Sequence, residues 1–471
     1  MSYIPQELIE FCLQKGNLLL IKGGPGTGKT ILSIEFLRSL ADRKGGVYLS
    51  TRVSPKRLFR QFPDLKSLME YVITSKTRPV HEEHQNETFD IFDLRVGEAP
   101  AFIDHLYSLA SRLKDPIILV DSWDAIASKL SSESKEKIED WLEVLITQMN
   151  ATLVLVNEGS KQTRMDYLAD GVVTLSKTRI EERLIREIEI NKLRGTMIGS
   201  DKYLFTLEDG RFRHFEPWRW QTTPIDERKL PPIKEDTNLD TMSTCIQGLD
   251  GLLSGGWERG SLNLFEIGEG VGDDYFALVV PAAVSYLSRG GTFTGFSNGL
   301  ELKYLINVLP RMTKKLEKRM RFVHVSKTPL PKKHQIKNRV HINSSDPVKA
   351  AKALETSFKN LQTHNKKFEN AVSMGYLDAT ILERELGPEV TIEILSKETD
   401  RVKKSLSVDL VTIRAGQKTL EDVRPLASTH WRIKRKNRSL LFYGIVPHTR
   451  AYVIETSIEK SYLETTLTPI L

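Results

Sequence analysis

The sequence predicts a mixed α/β protein with two tandem domains, each built on a central, mostly parallel sheet flanked by helices. Three observations indicate this fold. The apolar run of residues 18–21 leads through a glycine-rich loop into a helical stretch that begins near residue 31. Apolar, β-rich runs then alternate with helical stretches, which is typical of βαβ units. Beyond residue 240 the same order of elements starts again, so the chain contains a two-copy repeat.

Composition narrows the class of protein. The 471 residues are 40% hydrophobic and 27% charged, as in a globular protein, and suffice for two large domains. The two cysteines, Cys12 and Cys245, form no disulfide framework and suit a reducing cytoplasm. No apolar run reaches about 18 residues and no signal-peptide pattern opens the chain, so we expect a cytoplasmic protein without a membrane span. The net charge of +7 is compatible with a polyanionic partner.

The glycine-rich loop fits the phosphate-binding pattern of P-loop proteins at every fixed position. Glycines let successive N–H groups face an anion, and the following helix points its positive end at the same place. Lys29 is expected to reach the β- and γ-phosphates, and the Thr30 hydroxyl to bind Mg²⁺. The predicted ligands are therefore ATP and Mg²⁺. The phosphate loop, residues 23–30, consists of Gly23, Gly24, Pro25, Gly26, Thr27, Gly28, Lys29 and Thr30.

Two later strands are predicted to end at the same site. Asp121 follows the apolar run 117–120, about ninety residues after the loop, a spacing common in RecA-like domains. We expect it to hold the Mg²⁺ shell. The apolar run 152–156 ends in Asn157 and Glu158. These two residues form either a polar sensor of the γ-phosphate or an ordinary turn, and the sequence leaves both interpretations open.

The strand-like runs 172–175, 184–193 and 202–207 then predict an antiparallel extension of the sheet. Residues 183–196 resemble the late strand motif of the KaiC family of RecA-like ATPases. In that family a lysine and an arginine at two of these positions reach the triphosphate of the neighbouring subunit in a ring. The matching residues here are Lys192 and Arg194, so the resemblance implies a homo-oligomer. Cations one residue apart also share a face on any solvent-exposed strand.

A narrower resemblance rests on residues 46–55 and 120–125. Both strings resemble the archaeal GvpD family, KaiC-like P-loop proteins that regulate gas-vesicle gene expression. Together the two resemblances cover most of residues 1–217, which we predict to be one nucleotide-binding domain. They imply ATP binding, a role in transcription regulation, and action through a protein partner that is itself a transcriptional regulator.

One departure from the KaiC pattern bears on catalysis. Active KaiC-like domains carry two glutamates after the second strand, and one of them activates the attacking water. Arg52 and Val53 stand at this place, and a guanidinium cannot accept the proton. We therefore expect weak ATP hydrolysis or none, with Glu158 as the candidate that orients water. The nearby cluster 81–84, with two histidines and two glutamates, is interpreted as a solvated loop, because structural zinc sites usually contain cysteine.

The second half repeats the first without its phosphate-binding residues. Residues 218–240 are polar and proline-containing, which predicts a linker, and residues 241–471 predict a degenerate KaiC-like domain. In its loop, Asp273 and Asp274 stand where lysine and serine or threonine are expected. Carboxylates repel a triphosphate, so this loop should not bind ATP. An alternative is an acidic site for a partner's lysine or arginine. Asp378 is the predicted counterpart of the acidic strand end.

Three basic runs lie in the second half, at residues 311–321, 332–339 and 432–438. Trp431 precedes the last of them, and such a mixture of aromatic and basic residues suits nucleic acid or an acidic protein surface. A solvated hairpin is the alternative for each run. No helix-turn-helix or zinc motif supports sequence-specific DNA binding.

The leading hypothesis is an ATP-dependent regulatory protein with little or no hydrolysis. A RecA-like ATPase that acts on DNA in recombination or repair is the alternative. A clock-like autokinase is disfavoured by the two aspartates of the second loop.

Overall fold

The computed structural model describes residues 3–40, 43–44, 46–51, 55–63, 107, 111, 113, 115–159, 161–221, 224–233, 236, 239–297, 304–305, 314–328, 339–365 and 373–471. Arg52, Val53, the cluster 81–84 and most of the basic run 332–339 lie outside these residues. The chain forms two compact units. Unit 1 comprises Met1–Glu216 with Ile470–Leu471, and unit 2 comprises Pro217–Pro469.

Unit 1 is a helix-flanked sheet. Its described helices are α1 (Gln6–Leu13), α2 (Lys29–Leu40), α3 (Pro55–Gln61), α4 (Trp123–Ala127), α5 (Ser132–Met149) and α6 (Arg164–Leu168). Its strands are β1 (Leu18–Gly23), β2 (Gly46–Ser50), β3 (Ile117–Asp121), β4 (Thr152–Val156), β5 (Gly171–Ile180), β6 (Arg183–Leu193), β7 (Lys202–Thr206) and β8 (Arg213–His214).

The strands of unit 1 form one sheet in the order β2-β3-β4-β1-β5-β6-β7-β8. The first five strands in this order are parallel, and the last three add on in antiparallel fashion. The runs 184–193 and 202–207 lie in this antiparallel part as predicted, whereas the run 172–175 lies in β5, which pairs in parallel with β1. Parallel strands place their carboxyl ends at one edge of the sheet, where ligands of open α/β folds bind. The ends of β1, β3 and β4 therefore meet beside the phosphate loop.

Strand β1 lies at the centre of unit 1 and is buried along its whole length. Leu19 and Ile21 belong to one apolar core, together with Phe36 of α2. Leu18 and Leu20 belong to the other core, which includes side chains of α5. Alternate residues of a strand face opposite sides, so side chains of β1 pack against the helices on both faces of the sheet. Each fully buried side chain of this kind contributes about 1.5–3 kcal/mol.

Unit 2 has its own set of helices and strands. The described helices are α7 (Leu249–Leu252), α8 (Phe276–Ser288), α9 (Lys314–Glu317), α10 (Pro347–Asn365), α11 (Ala379–Leu386), α12 (Pro388–Ser405) and α13 (Leu420–Val423). The strands are β9 (Thr241–Met242), β10 (Trp257–Glu258), β11 (Ser261–Ile267), β12 (Thr292–Ser297), β13 (Met320–Ser326), β14 (Arg339–Asn343), β15 (Ser373–Asp378), β16 (Val408–Arg414), β17 (Thr429–Lys436), β18 (Ser439–Val446), β19 (Tyr452–Ser457) and β20 (Glu464–Pro469).

The large sheet of unit 2 has the order β14-β13-β12-β15-β16-β11-β17-β18-β19-β20. Its central run β12-β15-β16-β11-β17-β18 repeats the run β2-β3-β4-β1-β5-β6 of unit 1, with the same parallel and antiparallel pairings. This repeated order confirms the predicted fold class of two tandem α/β domains. In the segment predicted as a linker, Trp218 and Trp220 pack against the core of unit 2.

Candidate nucleotide site

The phosphate loop connects β1 directly to α2. Gly23 exchanges backbone hydrogen bonds with Gly159, which follows β4: N···O distances are 3.2 and 3.0 Å. A side chain at Gly23 would meet the carbonyl oxygen of Leu175 at 2.5 Å, so only glycine allows β1 to turn into the loop beside β5. Leu32 N–H donates to Gly28 O at 2.9 Å, and α2 therefore begins as the loop closes. Its first N–H groups remain available to an anion.

Lys29 points back into the loop that precedes it. Its Nζ donates to Gly23 O at 2.6 Å and to Gly24 O at 2.9 Å, and its side chain is buried. These bonds hold a positive charge inside the curve of the loop. A phosphate there would receive both the loop N–H groups and the ammonium.

The structure brings together the two residues predicted as metal ligands. Thr30 Oγ1 donates to Asp121 Oδ2 at 2.6 Å, across the gap between α2 and the end of β3. A hydroxyl and a carboxylate are hard oxygen ligands, and Mg²⁺ commonly takes one or two such protein groups plus phosphate oxygens. The donor set therefore fits Mg²⁺, which would neutralise charge on the phosphates when bound.

Two further residues, one in strand β2 and one just after it, contact Asp121, and no local sequence pattern singles them out. The hydroxyl of the buried Tyr48 donates to Asp121 Oδ2 at 2.8 Å. Burial, and then the charge of Asp121, raise the pKa of Tyr48 well above its ordinary value of 10.0, so the phenol stays protonated. Thr51 donates to Asp121 O from its backbone N–H at 2.8 Å and from its hydroxyl at 3.0 Å. Within the sequence Tyr48 resembles any buried strand residue.

Asn157 and Glu158 lie beside the start of the phosphate loop, because Gly159 pairs with Gly23. Asn157 is buried, and its Oδ1 has no hydrogen-bond partner among the residues that the structure describes. The Glu158 side chain is exposed, and the backbone N–H of Glu158 donates to the Asp124 carboxylate. The position suits a polar sensor, and the role of Glu158 in orienting water stays a prediction.

Two cations of the β5–β6 hairpin also approach the phosphate loop, and sequence reasoning missed both. Lys177 and Arg186 are directly opposite each other on the two strands. Arg186 Nη1 donates to Gly26 O at 3.0 Å and to Thr27 O at 3.3 Å, and its Nε contacts Leu471 O. Burial lowers the pKa of Arg186 from its ordinary value. Lys177 Nζ lies 3.8 Å from where a Cβ of Gly26 would be. The alternating charges along the hairpin sequence were the signal that could have pointed to these two cations.

The predicted trans clamp lies at the other end of β5 and β6. Lys192 pairs with Val172 of β5, whereas Gly23 of the phosphate loop pairs with Leu175 of the same strand. The three residues between these two pairings correspond to about 10 Å along β5. Lys192 Nζ donates to Ala169 O at 2.5 Å, and Arg194 Nη1 to Asp170 Oδ1 at 3.1 Å. Neither cation is brought to the phosphate loop of its own unit. Their role toward a neighbouring copy stays a prediction.

The counterpart loop of unit 2 binds arginines of its own chain. Arg435 donates to Gly270 O at 2.9 Å through Nε and contacts the Asp274 carboxylate through Nη2. Arg414 donates to Gly272 O at 3.0 Å and lies 3.8 Å from Asp273 Oδ1. Arginines of the same chain thus already lie beside both carboxylates, and the alternative of an acidic site for a partner's cation stays a prediction.

Asp378 ends strand β15 of unit 2, as Asp121 ends β3 in unit 1. Its carboxylate accepts from the N–H of Ile381 at 3.1 Å and so caps helix α11. Burial raises its pKa to about 6. The acidic strand end is thus present in unit 2 but serves as a helix cap.

The basic run 432–438 forms the end of β17 and the turn to β18. Trp431 is fully buried and stacks on Phe442, with ring centroids 4.8 Å apart. Arg432 pairs with Glu266 at 2.7 Å. The interpretation of Trp431 as part of a nucleic-acid surface is wrong, because strand alternation turns this side chain into the core. Among the described helices, none has both the length and the apolar character that a membrane crossing requires.

Comparisons with known proteins agree with this geometry. The family model described as "ATPase: KaiC" matches residues 2–213. Protein GvpD2 of Halobacterium salinarum is 30% identical over 304 residues, which are 61% of this chain and 60% of the relative. Protein GvpD1 of the same organism is 30% identical over 296 residues, 60% of this chain and 54% of the relative.

A more distant relative is the circadian clock oscillator protein KaiC of a Nostoc species, 26% identical over 275 residues, 55% of this chain and 50% of the relative. The chain thus spans between half and 60% of the length of these three relatives. The KaiC match covers residues 2–213 of the phosphate-loop unit, which comprises residues 1–216 and 470–471. Residues 2–213 are therefore a KaiC-like P-loop nucleotide-binding domain, and the chain is similar to the GvpD proteins over about 60% of its length.

Proposed function

We propose that the chain is a cytoplasmic regulatory protein that binds Mg²⁺–ATP, hydrolyses it weakly or not at all, and acts on transcription through a protein partner. One observation carries the proposal. The parts that bind a triphosphate are assembled around Asp121, whereas the sequence has Arg52 and Val53 at the place of the KaiC glutamates.

The binding half of the proposal rests on charge and hydrogen-bond geometry. The Lys29 ammonium is held by two loop carbonyl oxygens, and the first N–H groups of α2 face the same space. Thr30 and Asp121 supply the oxygen ligands for the metal. Hydrogen bonds to charged groups contribute about 1.5–3 kcal/mol each, so these few groups suffice for specific binding.

The catalytic half rests on the residues that come after strand β2. Thr51 is fixed to the backbone of Asp121 by two hydrogen bonds, so the strand end beside the site is firmly placed. The next residue in the sequence is Arg52, which has no proton-accepting atom. Without a base, bound ATP is not hydrolysed, so it stays in the site and can act as a signal.

A regulatory role requires that ATP be bound differently by two states of the protein, since a ligand with equal affinity for both shifts nothing. The resemblance to GvpD proteins suggests that the ATP state is read by a transcriptional regulator. Unit 2, which has no phosphate-binding lysine in its loop, is the natural place for that contact.

The test measures ATP binding and ATP turnover together, on wild type, Lys29→Ala and Arg52→Glu. We expect wild type to bind ATP with negligible turnover. Loss of the ammonium in Lys29→Ala should weaken binding by about 10- to 100-fold, the equivalent of ~1.5–3 kcal/mol. Arg52→Glu should bind ATP and gain hydrolysis.

Brisk turnover by wild type that Lys29→Ala abolishes would contradict the proposal. If single-stranded DNA also stimulated that turnover, the alternative of a RecA-like ATPase in recombination or repair would replace it.

A further inference from the structure

We propose that Tyr48 is a positioning residue of the nucleotide site, whose hydroxyl orients the Asp121 carboxylate for Mg²⁺. The inference rests on the proposed binding of Mg²⁺–ATP and deepens it. Tyr48 lies outside the motifs that define the site, in the interior of β2.

The contact is short, and the tyrosine that makes it is buried. Tyr48 is 1% exposed, and its hydroxyl donates to Asp121 Oδ2 at 2.8 Å. The same oxygen accepts the Thr30 hydroxyl at 2.6 Å. Tyr48 pairs with Leu119 in the sheet, so its side chain reaches two residues along the neighbouring strand to the carboxylate.

A buried tyrosine hydroxyl needs a hydrogen-bond partner in any protein, and this contact could be structural alone. Unit 2 argues for more. In unit 1, Tyr48 pairs with Leu119, which lies two residues before Asp121 on β3. In unit 2, Gly295 pairs with Tyr376, which lies two residues before Asp378 on β15, so Gly295 has the position of Tyr48. The unit whose loop carries Asp273 and Asp274 thus has glycine in place of the tyrosine.

The carboxylates differ accordingly. Asp378 is used by the N–H of Ile381 and caps a helix. Asp121 accepts hydrogen bonds from the side-chain hydroxyls of Thr30 and Tyr48. A tyrosine at this register therefore occurs in the unit with an intact phosphate loop and is replaced by glycine in the unit without one.

Binding of Mg²⁺ would use the Thr30 hydroxyl but would leave the hydrogen bond from Tyr48 to Asp121 in place. If Thr30 uses its oxygen for Mg²⁺, the Tyr48 hydroxyl remains as the side-chain donor that fixes the Asp121 carboxylate. Outer hydrogen-bond partners of metal ligands orient them, and their loss typically weakens metal affinity by about 10- to 100-fold.

The experiment titrates Mg²⁺ against the binding of a fluorescent ATP analogue to the full chain, with a parallel series in EDTA. We expect Tyr48→Phe to need about tenfold more Mg²⁺ for half-maximal nucleotide binding. In EDTA its nucleotide affinity should equal that of wild type, because the loop and Lys29 are untouched.

Tyr203→Phe is the matched control. The Tyr203 hydroxyl donates to Glu7 Oε1 at 2.6 Å, so this variant also loses a buried bond to a carboxylate, without touching Asp121. Both variants should unfold at a lower temperature, but Tyr203→Phe should keep the wild-type Mg²⁺ requirement.

Two results would overturn the inference in distinguishable ways. A Tyr48→Phe variant that binds nucleotide with the wild-type Mg²⁺ requirement would show that the hydroxyl serves stability alone. Wild type that binds no nucleotide, with or without Mg²⁺, would contradict the proposed function together with this inference.

Discussion

Arg186 holds the phosphate loop from outside, whereas Lys29 fills it from inside. The guanidinium lies on the carbonyl oxygens of Gly26 and Thr27, and the ammonium on those of Gly23 and Gly24. Because the carbonyl oxygens of Gly26 and Thr27 are bound by Arg186, this part of the loop is held in one conformation. Arg186 thus preorganises the phosphate loop through its backbone.

Replacement of Arg186 by alanine should therefore weaken ATP binding. We expect a loss of about 10-fold, near the lower end of the ~1.5–3 kcal/mol of a charged hydrogen bond, because the loop must be ordered by the nucleotide itself. Isothermal titration calorimetry measures it. Arg179→Ala is the control, since Arg179 is on the same hairpin but donates to Glu182 O. Equal affinities of the two variants would contradict this role.

Single residues of the site were predictable only where a local pattern defines them. Lys29 and Thr30 follow from the loop, and Asp121 from its place after an apolar run. Tyr48 and Arg186 act across strands, and no spacing along the chain marks such contacts. Their partners are 73 and 160 residues away in sequence.

Among the elements, the strand–loop–helix unit and the parallel strands were predictable from apolar runs and their alternation with helices. The basic run after Trp431 was not. Its charges suggested a partner surface, but period-two alternation puts Trp431 in the core and pairs Arg432 with Glu266, 166 residues earlier. A charge run in a strand cannot be assigned to solvent until its neighbours are known.

The β15–α11 junction predicts a pH effect on stability. Burial raises the pKa of Asp378 to about 6 in the folded chain, above its ordinary value of 3.8, although Arg414 and Arg384 lower it. The folded state therefore binds a proton more tightly than the unfolded state. Protonation of Asp378 therefore adds ~3 kcal/mol to the free energy of unfolding below pH 4, and this contribution is lost as the pH rises toward 6.

Asp378→Asn should remove this dependence and still offer an oxygen to Ile381 N–H. We expect slower amide exchange in β15 and α11 than in wild type at pH 7, and little difference at pH 4 after correction for intrinsic rates. Hydrogen exchange with mass spectrometry measures this locally. Asp346→Asn is the control, because hydrogen bonds lower the pKa of that exposed carboxyl. Faster exchange in Asp378→Asn at pH 7 would refute the prediction.

Both units of the chain share one strand order, yet only one has a lysine in its loop. The repeat was predictable from the sequence, since the order of elements starts again after residue 240. The fate of the second loop was predictable only in part. Asp273 and Asp274 argue against ATP binding in this loop, but the sequence did not reveal that Arg414 and Arg435 would lie beside them.

Assembly of the chain is predicted to depend on Lys192 and Arg194. Both lie at the strand ends away from the phosphate loop of their own unit, so only another copy can use them on a triphosphate. Wild type should form a larger species with Mg²⁺–ATP, measured by light scattering. The double variant Lys192→Ala/Arg194→Ala should not, and its ATP affinity should fall by about tenfold.

Lys202→Ala serves as the comparison for that variant. Lys202 pairs with Glu189 on the exterior of the same sheet, at 3.2 Å. ATP-dependent assembly of the double variant to the wild-type size would show that the two cations form only intrachain contacts.

The arginine-bound loop of unit 2 has a thermodynamic consequence. A ligand that binds only the folded state raises stability by RT ln(1 + [L]/Kd), and this term exists only where a ligand must come from solution. In unit 2 the counter-charges of Asp273 and Asp274 are covalently part of the chain, so their effective concentration never varies. The proposed binding of ATP would therefore make the stability of unit 1 depend on the concentration of ATP. The charge balance of the unit 2 loop, in contrast, does not depend on any ligand from solution.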